Sequence, residues 1–256
     1  MRLDQRITQL KEISRSKACD LIKEGYVKVN GRMIDKPAFQ VEEQDAIEIE
    51  EAENDFASRA GGKLFHALEE FKVDLHDKVV LDVGASTGGF TDVCLNKGAE
   101  KVYAVDVGSD QLIERLRLDP RVVNMENTNC RYLKRTMFKE PIDFVCMDVS
   151  FISILAILPC LFQETDAQDF IILIKPQFET EKRFIGKNGI VKDRKVHENV
   201  LKKIVTACTQ LGLYPVHLAP SKVCGRDGNQ EYCIHLIREI KMKDFDYREI
   251  VKSGMK

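Results

Sequence analysis

The most constraining feature of this chain is a glycine-rich turn between an apolar run and a helix-like segment. The turn reads Leu81-Asp-Val-Gly-Ala-Ser-Thr-Gly-Gly-Phe-Thr-Asp92, directly after Val79 and Val80. A strand that enters a helix through glycines is typical of the first βα unit of nucleotide-type α/β domains. Glycines there allow positive φ and a close approach of a ligand to the backbone. We therefore expect an open α/β sheet with a ligand site at this turn.

The glycine spacing narrows the class of ligand. It matches neither the Gly-x-Gly-x-x-Gly of dinucleotide-binding proteins nor a phosphate loop, which needs Gly-Lys-Ser/Thr. The turn also contains no lysine or arginine for a pyrophosphate, which favours a ligand without phosphates, such as S-adenosylmethionine (SAM). Asp106 ends the next expected strand, 24 residues after Asp82, and a carboxylate there can accept both hydrogen bonds of a ribose cis-diol. A turn without a ligand and a solvated acid remain the simpler alternatives.

The pattern beyond this turn predicts the fold class. After an acidic linker expected at residues 51–62, strands and helices alternate through residues 63–245, which predicts a Rossmann-like α/β domain with a mostly parallel sheet. Helices are expected at 109–116, 152–162 and 195–210. The last two strands, at 213–218 and 232–237, are joined by a connection too short for a crossover helix. The last strand should therefore be antiparallel.

Residues 1–50 form a separate, small α+β unit. Two short helices are expected at 2–11 and 15–23, then a hairpin whose Asn30-Gly31 dipeptide favours a type I′ turn, and a closing strand. Residues 1–36 carry nine basic and five acidic side chains, whereas residues 37–50 carry five acidic and no basic ones. A local basic face suggests a surface for a nucleic-acid backbone. On charge alone, a mixed surface kept for solubility is an equally good interpretation.

Composition excludes several classes of protein. The net charge of −2 says nothing about partners, so any nucleic-acid surface must be local. None of the eight cysteines forms a Cys-x-x-Cys pair, which favours reduced thiols over disulfides or a metal site. The longest mainly apolar segment, residues 151–162, contains a serine and a proline and is too short to span a bilayer. With no signal peptide in the opening residues, we expect a cytoplasmic protein that does not enter membranes.

Three charged residues stand where ligands of open α/β sheets bind, and a fourth candidate precedes the first strand. Asp148 and Lys175 each follow an apolar expected strand, and Glu231 begins the last strand, so all three should meet at the carboxyl edge of the sheet. Lys63 precedes the helix before the first strand, where a solvated charge is the better interpretation from position alone. A lysine that closes an apolar strand needs a carboxylate nearby if it is buried.

The N-terminal unit resembles the S4 RNA-binding domain. The similarity rests on Arg2-Leu3-Asp4, on the block Ser14-Arg-Ser-Lys-Ala18, on the block from Ile22 to Gly31, and on Pro37 and Asp45-Ala-Ile47. In that family the start of the second helix and the hairpin face RNA. The residues that the resemblance implies for RNA binding are Arg2, Arg15, Ser16, Lys17, Lys28 and Arg32.

The whole chain resembles the TlyA family, often labelled hemolysin A, in which an S4 domain is fused to an FtsJ-like SAM-dependent 2′-O-methyltransferase. The motifs include Gly62-Lys-Leu64, the glycine turn, Asp148-Val-Ser-Phe-Ile-Ser153, Lys175-Pro-Gln-Phe-Glu179 and Gly228-Asn-Gln-Glu231. The resemblance implies methylation of cytidine 2′-hydroxyls in ribosomal RNA. It implies a catalytic tetrad of Lys63, Asp148, Lys175 and Glu231. The implied SAM contacts are Asp82, Gly84, Ser86, Gly88, Gly89, Phe90, Asp106 and Asn129.

Three expectations follow for the mechanism. Lys175 should be the general base, because burial and a second lysine favour the neutral form of a lysine. Asp148 opposes that shift, so the sequence does not fix the resting charge of Lys175. Residues 181–195 carry six basic side chains around two glycines and should form a mobile lid; an exposed connection is the alternative. The partner should be ribosomal RNA or a ribosomal subunit. The competing functions are a non-catalytic RNA-binding or ribosome-assembly factor and, with less support, a hemolysin.

Overall fold

The chain divides into two compact units, Met1–Asp55 and Phe56–Lys256. The computed structural model describes residues 1–11, 13, 15–23, 26–49, 56–186, 189–225, 228–241 and 243–255, with the side chains of Ser16, Lys17, Asp20 and Lys23 also outside the description. Residues 56–62, which we expected in a linker, and those after 245 belong to the larger unit. A helix beginning at Ala60 and the buried Val251 of the last helix account for this difference.

The small unit packs two helices against a three-stranded antiparallel sheet. Its elements are α1 (Leu3–Lys11), α2 (Arg15–Lys23), β1 (Val27–Val29), β2 (Arg32–Met33) and β3 (Ile47–Ile49), with sheet order β2-β1-β3. Both turn residues of the hairpin have positive φ, 52° at Asn30 and 76° at Gly31. These values are those of the predicted type I′ turn.

Apolar residues from every layer close the core of the small unit. Its fully or nearly fully buried members include Leu3 and Ile7 from α1, Ile22 from α2, and Val27 and Val29 from β1. Residues 27 and 29 share one face of their strand because side chains alternate. Ser14, which precedes α2 and is of a residue type that often caps helices, lies outside the described residues.

A seven-stranded sheet forms the larger unit, in the order β6-β5-β4-β7-β8-β10-β9. Its strands are β4 (Val79–Val83), β5 (Lys101–Val105), β6 (Val122–Met125), β7 (Phe144–Met147), β8 (Asp169–Ile174), β9 (Tyr214–Pro220) and β10 (Tyr232–Ile237). The strands from β6 to β8 are parallel, and β10 is antiparallel to both β8 and β9. The predicted fold class, with an antiparallel last strand, is confirmed.

Helices cover both faces of this sheet. They are α3 (Ala60–Phe71), α4 (Gly89–Asn96), α5 (Glu114–Arg117), α6 (Leu158–Glu164), α7 (Pro176–Glu179), α8 (Arg194–Leu211) and α9 (Tyr247–Gly254). In β4, Leu81 and Val83 contribute to one apolar core and Val80 to the other, so the strand is buried on both sides. Burial on both faces explains its unbroken apolar sequence.

Two expected helices are shorter than predicted. In place of a helix at 109–116, the carboxylate of Glu126 accepts hydrogen bonds from the backbone N–H groups of Asp110, Gln111 and Leu112, and α5 begins only at Glu114. The expected helix at 152–162 divides into a 3₁₀ turn at Ile154–Ala156 and α6. Pro159 stands in the first turn of α6, where a proline begins a helix more readily than it continues one.

Strand register brings the charged residues to one edge. Val83 pairs with Val105 on one side and with Met147 on the other, so β4, β5 and β7 end together. Tyr232 pairs with Ile174, so β10 starts where β8 ends. Asp106, Asp148, Lys175 and Glu231 follow or precede these strand ends and therefore lie along the same edge of the sheet.

Candidate active site

The glycine turn is shaped by contacts within the protein. Gly84 and Gly88 have φ of 86° and 97°, a region that favours glycine. A side chain at Gly84 would overlap the carbonyl oxygen of Asp148, and one at Gly88 would overlap Leu116. We expected these glycines to admit a ligand. The structure adds that the turn also packs closely against the end of the neighbouring strand β7 and against α5. Phe90 lies in the hydrophobic core, so only its backbone can face a ligand.

Asp82, in the last part of β4, is a fully buried carboxylate with one unsatisfied oxygen. The Thr91 hydroxyl donates a 2.6 Å hydrogen bond to Oδ2, whereas Oδ1 has no hydrogen-bond partner among the described residues. Burial, reinforced by the nearby carboxylates of Asp148 and Asp106, raises the pKa of Asp82 to about 7. A buried acceptor of this kind is stabilised by gaining a proton or a donor group.

Asp106 ties the end of β5 to the glycine turn. Its Oδ2 accepts from the Ser86 backbone N–H at 2.9 Å, and its Oδ1 accepts from the Gly108 N–H at 2.8 Å. Oδ1 also accepts a long hydrogen bond of 3.5 Å from the exposed Gln111 side chain. Of the about four lone-pair positions of a carboxylate, one on Oδ2 is open, and a second becomes open when Gln111 turns away. Asn129 instead caps a 3₁₀ turn, with its side-chain oxygen accepting from the Arg131 N–H at 3.1 Å.

The four predicted catalytic side chains form one buried chain of alternating charge. Lys63 Nζ lies 2.5 Å from Glu231 Oε2 and 4.0 Å from Asp148 Oδ2. Lys175 Nζ lies 2.5 Å from Asp148 Oδ1. All four side chains are at most 12% exposed. The order Glu231–Lys63–Asp148–Lys175 compensates every buried charge, and Lys63, expected to be solvated from position alone, is a full member.

Sequence patterns missed two residues beside this tetrad. Ser150 Oγ accepts a 3.0 Å hydrogen bond from Lys175 Nζ. The Glu179 carboxylate accepts from Ser153 Oγ at 2.6 Å and from the Ile154 N–H at 2.8 Å, and burial raises its pKa. Glu179 thereby fastens the helix after Lys175 to the loop after Asp148. The sequence signal that could have indicated the role of Glu179 is a carboxylate three residues after Pro176, on the buried side of a short helix.

The loop before Glu231 closes over the Lys63 end of the tetrad. Arg59 donates a hydrogen bond to the carbonyl of Cys224, and a side chain at Gly225 would come within 2.7 Å of Glu231 Oε1. Arg226 and Asp227 in the same loop lie outside the described residues. Gly225 therefore allows the loop to lie directly on the Glu231 carboxylate.

The second half of the expected lid is anchored. The Asn229 side chain accepts from the Val191 N–H and donates to the Gly189 carbonyl, both at 3.0 Å. His197 bonds the Val191 carbonyl and the Tyr232 hydroxyl, both at 2.9 Å, and burial lowers its pKa. Lys187 of the expected lid lies outside the described residues. The mobility of the lid stays a prediction. Any motion would have to leave Val191 in place, because both of its backbone polar groups are hydrogen-bonded.

An aromatic pair with one exposed ring follows two of the tetrad residues in the chain. Phe151, one residue after Ser150, is 91% exposed and has a φ of 66°. Its ring centroid lies 5.1 Å from that of Phe178. A large apolar side chain held in this backbone conformation at the mouth of the site is unusual for a purely structural residue.

In the small unit, the structure joins two of the six residues expected to bind RNA. Arg2 and Arg15 both bond the buried Asp4. Lys28 lies half-buried on β1, and Arg32 is exposed on β2. The side chains of Ser16 and Lys17 lie outside the described residues.

No other described region offers a comparable site. A surface cavity of about 340 Å³ lies near the start of β7, lined by residues such as Arg135, Glu140, Glu164 and Asp166. Arg135 and Asp166 pair with each other, and Glu140 and Glu164 pair with lysines outside the lining, Lys101 and Lys134. Within the described residues there is no group of three metal-ligating side chains, and no described helix is long and apolar enough to cross a membrane.

Comparison with known proteins identifies the two units. A family model for FtsJ-like methyltransferases matches residues 56–238, and a model for the S4 domain matches residues 1–47. Hemolysin A of Brachyspira hyodysenteriae is 42% identical over 240 residues, which cover 93% of this chain and 100% of that protein. The 16S/23S rRNA (cytidine-2′-O)-methyltransferase TlyA of Mycobacterium tuberculosis is 39% identical over 226 residues, covering 87% of this chain and 84% of that one.

A solved structure agrees over almost the full length. It is a Streptococcus thermophilus protein titled as a candidate hemolysin, with a TM-score of 0.80 and 36% identity, covering 99% of this chain and 95% of that one. These matches confirm the resemblance found in the sequence. The chain therefore belongs to the TlyA (hemolysin A) family, in which an S4 domain is joined to an FtsJ-like methyltransferase domain.

Proposed function

We propose that this protein transfers the methyl group of SAM to the 2′-hydroxyl of a cytidine ribose in ribosomal RNA. The observation that carries the proposal is the buried Glu231–Lys63–Asp148–Lys175 chain at the carboxyl edge of the sheet, next to the glycine turn. The names of its relatives, which include a cytidine-2′-O-methyltransferase acting on 16S and 23S rRNA, support the choice of substrate. RNA free or within a ribosomal subunit would place the protein in the cytoplasm.

The residues at the glycine turn fit SAM. The orphaned Oδ1 of Asp82 is an acceptor that the ammonium group of the methionine moiety can satisfy, and Asp106 retains acceptor positions for a ribose diol. The turn has no basic residue, in agreement with a cofactor that lacks phosphates. When bound, SAM supplies an activated methyl group. The residues proposed to hold it are Asp82, Gly84, Ser86, Gly88, Gly89, Phe90, Asp106 and Asn129.

The work left to the protein is to position and deprotonate the 2′-hydroxyl. In its neutral form, Lys175 Nζ accepts the hydroxyl proton. The ammonium so formed is stabilised by Asp148 at 2.5 Å and by Ser150 at 3.0 Å. Lys63 sits on the other side of Asp148, 4.0 Å from its Oδ2, and its pairing with Glu231 fixes the position of this lysine beside the carboxylate. The geometry thus favours the state after proton transfer.

Two further observations favour RNA over a small-molecule substrate. The S4 unit would have no use in an enzyme for free metabolites. The exposed Phe151 beside the tetrad offers a ring on which an unpaired base can stack, as RNA-binding sites commonly do. A non-catalytic RNA-binding factor has no need for four buried charges, which are costly to assemble.

Mapping of 2′-O-methyl groups tests the proposal. Ribosomal RNA from cells with and without the gene is digested and analysed by mass spectrometry, with complementation by the wild-type gene or by a Lys175→Ala variant. We expect at least one 2′-O-methylcytidine to disappear with the gene and to return only with the wild-type copy. As a matched control, Lys72→Ala removes a lysine from the C-terminal end of α3 and should restore the modification. Identical maps in all strains would refute the proposal.

A further inference from the structure

The small unit contains a carboxylate buried beneath two arginines. Asp4 is fully buried, whereas the side chains of Arg2 and Arg15 are 38% and 57% exposed. Arg2 grips the carboxylate with two parallel bonds, Nε to Oδ1 and Nη2 to Oδ2, both at 3.0 Å. Arg15 donates through Nε to Oδ2, also at 3.0 Å. Two guanidinium groups, one from the residue before α1 and one from the start of α2, are therefore held on one anion.

Both oxygens of the Asp4 carboxylate accept more than one hydrogen bond. Besides the arginines, Oδ1 accepts from the Gln5 N–H at 2.9 Å and Oδ2 from Cys19 Sγ at 3.7 Å. The paired arginines hold the pKa of Asp4 far below its usual range, so the group is ionised at any pH where the protein works. Two cations and one anion leave a net positive charge, and it sits on the exposed side.

Both guanidinium groups have more donors than the described contacts use. A guanidinium has five N–H donors; among the described contacts, Arg2 uses Nε and Nη2, and Arg15 uses Nε. Two arginines this close repel each other and, unsupported, would adopt separate rotamers. Asp4 removes that repulsion and fixes both side chains before any ligand arrives, which reduces the entropy lost on binding.

We propose that Asp4 is a positioning residue that sets Arg2 and Arg15 as a preorganised pair for one RNA phosphate. The inference rests on the proposed function, in that RNA is the ligand. Guanidinium groups suit this role because their planar donors match phosphate oxygens. Asp4 therefore increases the affinity of the protein for a polyanion, although it is itself an anion on the RNA-binding unit.

If Asp4 had the opposite role, the Asp4→Asn substitution would change the RNA affinity in the opposite direction. If Asp4 merely competes with phosphate for the two arginines, removing its charge frees them and tightens RNA binding. If Asp4 positions them, Asp4→Asn weakens binding even though the protein becomes more positive. The amide keeps one acceptor oxygen but cannot hold two guanidinium groups.

The test measures the affinity of the full-length protein for unmodified ribosomal RNA, transcribed in vitro, over a series of salt concentrations. We expect Asp4→Asn to weaken binding about tenfold and to reduce the salt slope by about one unit or more. Asp35→Asn is the matched control, because it removes one negative charge from an exposed position of the same unit. It should bind as well as wild type or slightly better. Equal or tighter binding by Asp4→Asn overturns the proposal.

A second variant decides the matter even where Asp4→Asn disturbs folding. Arg2→Lys keeps the charge at a half-exposed position, but an ammonium cannot make the two parallel bonds. We expect a several-fold loss of RNA affinity, and wild-type affinity would contradict the role of the pair. Because the readout is RNA binding, absent methyl transfer with these affinities as expected would count against the proposed function alone.

Discussion

The tetrad of the large unit and the Asp4 cluster of the small unit are both built from alternating charges, yet they differ in exposure. All four side chains of the tetrad are nearly buried, and their charges cancel when both lysines are protonated. In the Asp4 cluster only the anion is buried, and two partly exposed arginines leave an excess of positive charge. A compensated buried network suits proton transfer, whereas an exposed excess of cations suits anion binding. Exposure, more than residue type, therefore separates the two roles.

The largest effect that separates the two regions should come from Lys175. Loss of a general base typically lowers the rate ~10²–10⁴-fold, so Lys175→Ala should lose that much in single-turnover methylation at saturating RNA, with SAM and RNA affinities near normal. Lys175→Arg should fail as well, since arginine stays protonated. If the Lys175→Arg protein keeps most of the rate, Lys175 acts through its charge and not as a base. The tetrad would then have an electrostatic role, like that of the Asp4 cluster.

Asp82 gives a test between pH 4 and 7, a range in which Asp4 stays mainly ionised in both the folded and the unfolded protein. Its pKa rises from an ordinary 3.8 to about 7 in the folded protein, so the folded state holds a proton that the unfolded state has lost. The stability from this group is complete below pH 4 and is lost as the pH rises to about 7, by about 4 kcal/mol at 1.36 kcal/mol per unit. Denaturant unfolding of wild type and Asp82→Asn, without SAM, should show this loss only in wild type. Parallel pH profiles would rule it out.

Breaking the tetrad should cost more stability than breaking the exposed part of the Asp4 cluster. Glu231→Gln leaves Lys63 buried beside an uncharged amide, and an uncompensated buried charge costs about 3 kcal/mol or more. Arg15→Ala leaves Asp4 paired with Arg2 and should cost about 1 kcal/mol. Urea unfolding of both variants makes the comparison. Equal losses would show that exposure does not distinguish the two networks.

The smallest effect concerns Arg32, exposed on β2. If it contacts an RNA phosphate, Arg32→Ala should reduce the slope of log affinity against log salt by about one unit, with SAM affinity unchanged. Lys36→Ala, at an exposed position of the same unit, serves as a comparison for loss of charge without the hairpin position. An identical change of slope in both variants would show that the hairpin position contributes no more than any other positive charge of the unit.

Local patterns predicted most of the fold because their causes are local. Asn30-Gly31 specified its turn through backbone preference, and the short connection before Tyr232 excluded a crossover helix, so β10 had to be antiparallel. Where a distant residue decides the outcome, prediction from sequence failed. Glu126 takes the N–H groups of residues 110–112 that an early helix at 109–116 would have needed, and no pattern within that segment indicates it.

The candidate site shows the same division. Lys175 and Asp148 were predictable because each closes a strand at an edge that parallel topology defines. Ser150 and Glu179 escaped because their roles depend on how a loop folds back onto a helix. The two arginines of the small unit were expected to face RNA, but their junction on Asp4 required the packing of α1 against α2, which spacing does not reveal.

The antiparallel insertion of β10 has a consequence for how the protein forms as it is synthesised. β10 lies between β8 and β9, so β9, although made earlier, cannot join the sheet until β10 has left the ribosome. Lys63 and Glu231 are 168 residues apart in sequence, and the lysine waits without its partner for that whole interval. Contacts between such distant residues form slowly. The last strand to appear therefore completes both the sheet and the tetrad, so the nascent chain has no assembled active site until its final stage of folding.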